Sequence, residues 1–338
     1  MKTRVFSSLA VAFLAAMVAA TGPTQLSADT AEIQIKATRL PLNPDDALQD
    51  RVGRLRYRGG LELESTNVLF GGLSGLEISG DGKKLVAMSD NGRWVSVMLQ
   101  YDKNGDLIGA TDGIMKPIKR AEGYDRPGNW RDAESIAPDG NGGYFVAFER
   151  QHRIWHYRTP PKDPFDSVPI ELPGPQDVSL QPNNGGIEAL ARLCDRRLLA
   201  ISELARSGDD AVKAWVFAGK GWKDLRYSTT DNFNPTGAAI LPNCNLVVLE
   251  RSFAITQGVR SRIVLIPAKD IRPEATLRGE ELARLVPPVT VDNMEGIATR
   301  KGDNGEPLIY IVSDNNFNGL QRTIVLMFEL MPPPEKTK

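Results

Sequence analysis

Acidic residues recur in this sequence at two positions of one repeated pattern. The pattern consists of small residues, a glutamate, an apolar strand, a turn, a second apolar strand and a closing acid. The glutamates are Glu77, Glu134, Glu188 and Glu295, and the closing acids are Asp90, Glu149, Glu203, Glu250 and Asp314. In the fourth copy Ala238 or Ala239 stands in place of the glutamate. If the copies are equivalent, the carboxylates converge, and each raises the pKa of the others unless cations compensate them.

Converging carboxylates predict a hard divalent cation, and calcium is the cation that we expect. Calcium takes about six to eight oxygen ligands in flexible geometry. The predicted metal ligands are Glu77, Asp90, Glu295 and Asp314. A transition metal is disfavoured because the chain has only two histidines, His152 and His156, which lie on one predicted strand. The alternative is that each acid caps a turn or accepts hydrogen bonds from the backbone of a neighbouring repeat.

Candidate catalytic and substrate-binding residues lie in the same motifs. Glu134 and Glu188 are the predicted catalytic residues, acting as general bases. Arg150 and Arg251 follow closing acids, so their guanidinium groups would hold an anionic substrate or pair with those acids. The sequence has no GxSxG elbow in the right context, no convincing nucleotide-binding motif and no cysteine beside a clear base. A serine or thiol nucleophile is therefore disfavoured.

The elements that must position these residues are short strands joined in hairpins. Five copies of the pattern are visible: SGLEISGDGKKLVAMSDNGRW, DAESIAPDGNGGYFVAFERQHRIW, GGIEALARLCDRRLLAISE, PTGAAILPNCNLVVLERSF and NMEGIATRKGDNGEPLIYIVSDNNF. Glycine, proline, aspartate and asparagine bound the apolar runs, as they do in β-hairpins. Further strands, such as HRIWHYR and VPIEL, bring each unit to about four strands in roughly 50 residues, the size of a propeller blade. The chain is therefore predicted to be an all-β propeller of five or six blades, with an open array of β-sandwiches as the alternative.

Ring closure and domain limits follow from the two ends of the repeat array. The last repeat is short and ends near Leu330, whereas the strand-like segment 54–65 precedes the first full repeat. We expect this N-terminal strand to complete the C-terminal blade within a single domain, residues 54–332. Residues 29–53 form an N-terminal extension that adds either an outer strand or a sixth, decayed blade, and residues 333–338 form a C-terminal tail.

The first 28 residues have the pattern of a secretory signal peptide. Lys2 and Arg4 precede an apolar run from about Leu9 to Ala20, which is followed by small residues. That run is shorter than the roughly 20 residues of a membrane span, and no later stretch approaches this length. We therefore expect a soluble periplasmic or secreted protein. In that compartment Cys194 and Cys244 either form one disulfide or remain two separate buried thiols.

Taken together, five ordered motifs resemble a known family. They are GGLSGLEIS with SDNGRW, DAESIA with FERQHRIW, GIEALA, PTGAAILP with LERSF, and NMEGIA with IYIVSDNNF. The set, which spans about residues 60–330, is similar to the phytase-like bacterial propellers described as having esterase-like activity of phytase. This resemblance implies an exported β-propeller with calcium-dependent esterase or phosphoesterase activity.

Two functions are consistent with the sequence. The first is a calcium-supported hydrolase that acts on a small anionic or ester substrate at an acidic central mouth. The second is a non-catalytic periplasmic propeller that binds a ligand or a protein at the same mouth. The near-neutral formal charge of −1 predicts no nucleic-acid partner, and we expect a monomer.

Overall fold

Nearly all regular structure in the molecule is β-strand. The computed structural model describes residues 30–159 and 163–333. The strands are β1 (Ala31–Ile33), β2 (Lys36–Arg39), β3 (Arg51–Val52), β4 (Leu55–Glu64), β5 (Leu73–Ile78), β6 (Lys84–Ser89), β7 (Arg93–Tyr101), β8 (Leu107–Pro117), β9 (Ala133–Pro138), β10 (Tyr144–Phe148), β11 (Arg153–Tyr157), β12 (Ile170–Leu172), β13 (Ile187–Arg192), β14 (Leu198–Arg206), β15 (Ala211–Phe217), β16 (Trp222–Ser228), β17 (Asn234–Ile240), β18 (Leu246–Ala254), β19 (Gly258–Ile266), β20 (Thr276–Leu277), β21 (Glu280–Leu285), β22 (Met294–Lys301), β23 (Pro307–Ser313) and β24 (Ile324–Leu330). Three short 3-10 turns, Pro164–Asp166, Val178–Leu180 and Ala268–Asp270, complete this set. Within these described ranges no helix is long and apolar enough to cross a bilayer.

The strands form five sheets, which are the five blades of a propeller. Strands β5 to β8 form blade 1, β9 to β12 blade 2 and β13 to β16 blade 3, in each case by consecutive antiparallel pairing. Blade 4 contains β17, β18, β19 and β21, whereas blade 5 contains β22, β23, β24 and β4. The predicted all-β propeller is therefore confirmed, and the number of blades is five.

The N-terminal segment closes the ring. Strand β4 pairs antiparallel with β24, with Leu61 opposite Val325, so it supplies the fourth strand of blade 5 as the sequence predicts. Upstream of it, β2 pairs with β4 on the outside of blade 5, and β1 pairs with β8 on the outside of blade 1. A single short stretch of chain thus joins the first blade to the last.

The core consists of five apolar clusters, one at each interface between neighbouring blades. Strand β6 shows how the sequence builds them. Leu85 and Ala87 belong to the cluster shared with blade 5, whereas Val86 and Met88 belong to the cluster shared with blade 2. Because side chains alternate along a strand, one apolar run fills both interfaces.

Each first strand contains an irregular pairing close to its beginning. The register against the second strand shifts once in every blade, at the positions occupied by Ser74, Glu134, Glu188, Thr236 and Glu295. An extra residue of this kind is a β-bulge, which redirects its side chain out of the regular alternation. All five bulges lie at the same end of the ring, next to the ends of the second strands.

The other end of the ring carries the turns between first and second strands. Cys194 follows β13 and Cys244 follows β17, and their sulfur atoms are 2.13 Å apart, with 5.7 Å between the Cα atoms. The two cysteines therefore form a disulfide that ties blade 3 to blade 4 on the face opposite the bulges.

Candidate functional site

A small acidic cavity lies on the axis, where the bulges and the ends of the second strands meet. Its volume is about 180 Å³. Its lining contains eight carboxyl groups and two guanidinium groups: Asp90, Asp132, Glu134, Glu149, Glu188, Glu203, Glu295, Asp314, Arg150 and Arg251, with Asn184 and Asn316. The structure therefore brings together seven of the eight predicted site residues.

Glu77 is the predicted site residue that lies elsewhere. The bulge position of blade 1 is Ser74, three residues before Glu77, so Ser74 is the equivalent of Glu134, Glu188 and Glu295. Glu77 pairs with Val86 and faces blade 2. There the pKa of Tyr144 is raised first by the burial of its hydroxyl group and second by the nearby carboxylate of Glu77. The equivalence predicted for Glu77 was wrong because sequence spacing does not show where a bulge inserts a residue.

The blade 4 member of the bulge set is also displaced from its expected position. Thr236, rather than Ala238 or Ala239, occupies the place of the glutamates. Its hydroxyl donates to the backbone oxygen of Met294 at 3.0 Å. Three blades therefore contribute a bulge glutamate, and two contribute a hydroxyl residue.

The second ring of side chains lies where each second strand ends. The backbone N–H groups of Asp90, Glu149, Glu203 and Asp314 donate to equivalent carbonyl groups at the start of their own blades. In blade 4 the residue at this place is Arg251, which is paired with Asn234. The expectation that every blade places an acid here was therefore wrong, since blade 4 places a guanidinium group among four carboxylates.

Glu250 lies one residue earlier and points into the interface with blade 3. It is 1% exposed, and its carboxylate accepts a hydrogen bond from the hydroxyl of Tyr227 at 2.7 Å and pairs with Arg262. A shift of one residue reverses the face of a strand. Glu250 is consequently part of the packing between blades and is separate from the cavity.

Arg251 is held by several acceptors at once. Its Nη1 atom donates to Glu295 and to Asn293, while its Nη2 atom donates to Glu203 at 3.1 Å. Burial alone would lower the pKa of Arg251, but the nearby carboxylates, led by Glu295 and Glu203, raise it above its ordinary value. Of the two roles that the sequence leaves open for Arg251, holding an anionic substrate or pairing with acids, the structure shows the pairing.

Arg150 occupies the outer rim on the blade 2 side. Its Nε atom donates to Asp132, and its side chain remains 49% exposed. Asp132 also accepts a hydrogen bond from Asn129 at 3.2 Å. Arg150 therefore keeps a large solvent-accessible part beside the cavity, in contrast to Arg251.

Three acids of blade 2 lie close enough together to share a metal ion. Oxygen atoms of Asp132, Glu134 and Glu149 all lie within 4.8 Å of one another. Glu149 also accepts hydrogen bonds from the backbone N–H groups of Gly185 and Gly186, at the start of blade 3. Glu149 therefore performs the predicted backbone role between repeats and still lines the cavity.

Burial dominates the electrostatics of the cavity. Burial, followed by repulsion from Asp132, Glu149 and Glu295, raises the pKa of Glu134 well above its ordinary value. Burial and then Glu203 raise the pKa of Glu188 in the same way. Burial also raises the pKa to about 8 at Glu295, about 7 at Asp90 and about 6 at Asp314. A nearby cation would relieve these shifts by stabilising the ionised forms.

Two features show that the cavity fits a hard cation. Glu188 is 8% exposed, and none of the described residues donates a hydrogen bond to its carboxyl group. The buried Oδ1 atom of Asp90 likewise has no hydrogen-bond partner among the described residues. Gly72, at φ 60°, lies against this atom, where a Cβ would collide with it. Buried oxygen atoms without partners are costly, and an oxygen-seeking cation such as calcium would satisfy them.

Asp132 is the cavity acid that lies outside the two repeated acidic positions of the sequence pattern. It lies two residues before Glu134, and its backbone oxygen accepts from the N–H of Glu149. The signal that would have identified Asp132 is the presence of an acid directly before the first strand, in the DAE sequence of the second motif.

Several solved structures are similar to this chain at low sequence identity. A catalytically inactive virginiamycin B lyase from Staphylococcus aureus with quinupristin is 12% identical, with 86% of this chain and 99% of that chain covered and a TM-score of 0.43. The PQQ-bound aldose sugar dehydrogenase from Streptomyces coelicolor is 13% identical, with 90% and 99% covered and a TM-score of 0.41. A protein of unknown function from Dyadobacter fermentans is 13% identical, with 88% and 91% covered and a TM-score of 0.44.

The comparison with family models identifies the family of this chain, whereas the comparison with curated proteins does not. No curated protein matches this sequence. The model of the phytase-like family, described as esterase-like activity of phytase, matches residues 68–317, which include every residue that lines the cavity. The chain therefore belongs to the phytase-like family, as its five ordered motifs predict.

Proposed function

We propose that this protein is a calcium-supported hydrolase of ester or phosphoester bonds that acts at the axial cavity. The observation that carries the proposal is the group formed by Asp132, Glu134 and Glu149, whose oxygen atoms lie within 4.8 Å of one another in a cavity shared with five other acids. Such an arrangement is unfavourable in an isolated fold. It becomes favourable when a cation and a polar substrate enter the cavity.

In this proposal Asp132, Glu134 and Glu149 hold the calcium ion. Their oxygen atoms are already within 4.8 Å of one another, so little rearrangement is needed to share one ion. Bound calcium would stabilise the negative charge that develops on the substrate and increase the acidity of water in the cavity. The predicted ligands Asp90, Glu295 and Asp314 line the same cavity and would contribute negative charge.

Glu188 is the proposed proton-transfer residue, whereas Glu134, the second catalytic residue predicted from the sequence, holds calcium beside it. Burial and the neighbouring carboxylates, Glu134 among them, raise the pKa of Glu188, which favours its protonated form. A carboxyl group that is protonated near neutrality can act as a general acid and then as a general base. Glu188 can donate its proton to the oxygen of the leaving group and regain a proton from the attacking water.

Arg150 is the proposed contact for an anionic substrate. It pairs with Asp132, but about half of its side chain faces solvent at the rim. Arg251, in contrast, is already shared among Glu203, Glu295 and Asn293. We therefore propose substrate binding for Arg150 and a positioning role for Arg251.

Export is part of the proposal. The predicted signal peptide, residues 1–28, lies outside the described residues, so its support comes from the sequence. The disulfide between Cys194 and Cys244 is consistent with an oxidising compartment. We therefore propose that the mature protein acts in the periplasm or outside the cell.

Turnover of nitrophenyl esters and phosphoesters, with and without a chelator, tests this function. We expect turnover that the chelator abolishes and calcium restores, a loss of at least about 100-fold in Glu188→Gln, in the range of acid–base catalysis, and a loss in Glu134→Gln because a calcium ligand is removed. Glu77→Gln is the matched control, because Glu77 lies at a blade interface away from the cavity. Turnover that is equal in all variants would reject the enzyme hypothesis.

One observation favours a non-catalytic function as the second candidate. Both arginines of the cavity are paired with acids, which leaves a mouth better suited to capture a cationic ligand than to hold an anionic one. A propeller that only binds a ligand at this mouth would show calcium-dependent or ligand-dependent stabilisation but no turnover. The same set of measurements separates the two functions.

A further inference from the structure

Blade 4 is the blade that has no acid at either ring position. Its bulge residue is Thr236, where three blades have glutamate. Its second-strand residue is Arg251, where the four other blades have aspartate or glutamate. Blade 4 therefore contributes no acid to the cavity and places a positive charge there.

The contacts of Arg251 are of the type that a metal ion makes. Its donors bind carboxylate oxygen atoms of Glu203 and Glu295 and the amide oxygen of Asn293. Carboxylate and amide oxygen atoms are preferred calcium ligands. Asn293 also donates from Nδ2 to Glu295 at 2.9 Å, so these acceptors are fixed relative to one another.

The unpartnered carboxyl group of Glu188 lies on the same side of the cavity. Glu188 and Glu203 both belong to blade 3, and Glu203 accepts a hydrogen bond from Arg251 Nη2 at 3.1 Å. Glu188 is more than nine-tenths buried and accepts no hydrogen bond from the described residues. This half of the cavity therefore has more ligand oxygen atoms than Arg251 uses.

We propose that the guanidinium group of Arg251 occupies the place of a second divalent cation, so that the protein binds one cation at blade 2 and excludes another at blades 3 to 5. The identity of the first cation rests on the proposed function. The exclusion of the second one rests on Arg251 and its acceptors alone. When Arg251 is replaced by a neutral residue, Glu203, Glu295 and Asn293 become available as ligands.

Calcium binding to the metal-free protein, measured by titration calorimetry and equilibrium dialysis, tests the inference. We expect Arg251→Gln to bind one calcium ion more than the wild type and Arg251→Lys to bind the wild-type number. The matched control is the triple variant Arg251→Gln, Glu203→Gln, Glu295→Gln, which removes the ligands together with the guanidinium group. That variant should also bind the wild-type number.

The outcomes distinguish this inference from the proposed function. One ion in the wild type and two in Arg251→Gln support both the calcium site at blade 2 and the role of Arg251 in excluding a second ion. No ion in the wild type and one in Arg251→Gln refute the calcium site at blade 2 but support the role of Arg251. An equal number in the two proteins overturns the inference, and so does a wild type that binds two ions.

Folding provides a second measurement. Loss of Arg251 leaves buried carboxylates without their cation, so Arg251→Gln should have a lower melting temperature than the wild type in chelator. Calcium should restore most of the difference, because an ion that binds the folded state stabilises it. A variant that remains unfolded in calcium would contradict the inference, since calcium would then be unable to replace the guanidinium group.

Discussion

At the scale of single residues, the position of a carboxyl group in the blade determines its chemistry. Glu134, Glu188 and Glu295 lie on bulges and face the axis, whereas Glu77 and Glu250 lie in regular pairing and face a neighbouring blade. All five have raised pKa values because of burial. Only the first three share a cavity, so only these are expected to respond to a cation.

The raised pKa values predict that calcium affinity depends on pH. Burial raises the pKa of the proposed ligands Glu134 and Glu149 and raises that of Asp90, in the same cavity, to about 7, so a calcium ion must displace protons when it binds near neutrality. Affinity should therefore increase between about pH 6 and 8, by about tenfold per pH unit for each proton displaced. Calorimetry over this range measures the change.

Stability should change in the opposite direction when calcium is absent. A carboxyl group with a raised pKa binds more protons in the folded than in the unfolded state, so the free energy of unfolding falls as pH rises from the ordinary pKa toward the raised one. In chelator the melting temperature should decrease from about pH 5 to 8, and calcium should reduce this decrease. A calcium affinity that is constant over this range would contradict the assignment.

At the scale of elements, the two kinds of turn in each blade lie on opposite faces of the ring. The turns after the second strands lead to the cavity, and the turns between the first two strands carry Cys194 and Cys244 on the opposite face. The disulfide joins blades 3 and 4, the blades next to Arg251 and its acceptors. It stabilises the ring without contacting the site.

Removal of the disulfide should therefore reduce stability and leave the site unchanged. The cysteines are 50 residues apart in sequence, and a crosslink over a loop of this length contributes roughly 2 to 4 kcal/mol. The variant Cys194→Ser, Cys244→Ser should lose this free energy of unfolding in chemical denaturation. Its calcium affinity should equal that of the wild type, and a large change in affinity would show that the two faces are coupled.

The elements also show how far the sequence determines the fold. The repeated strand–turn–strand pattern predicts the blades, and the short last repeat predicts that β4 closes the ring. The position of Glu77 depends on where the bulge lies in the first strand of blade 1, and that of Arg251 on which residue of the second strand pairs with Asn234, and hydrophobic alternation reveals neither. A shift of one residue moves a side chain to the other face of the strand. The sequence therefore predicts that acids converge at one site, but not which acids line it.

At the scale of the whole molecule, closure of five blades concentrates charge that the chain as a whole does not have. The full sequence has 41 basic and 42 acidic residues, yet the cavity gathers eight acids and two arginines. The acids come from blades 1, 2, 3 and 5, and the inner guanidinium group comes from blade 4. The result is a polarised cavity, with a cluster of carboxyl groups at blade 2 and a guanidinium group at blade 4.

The most direct test of this account is a calcium-binding isotherm of the metal-free protein and of two variants, Glu134→Gln and Glu77→Gln. The account predicts one calcium ion for the wild type, affinity at least about tenfold weaker in Glu134→Gln because a ligand charge is lost, and wild-type affinity in Glu77→Gln. Absence of calcium binding by the wild type, or equal affinity in Glu134→Gln, would contradict it.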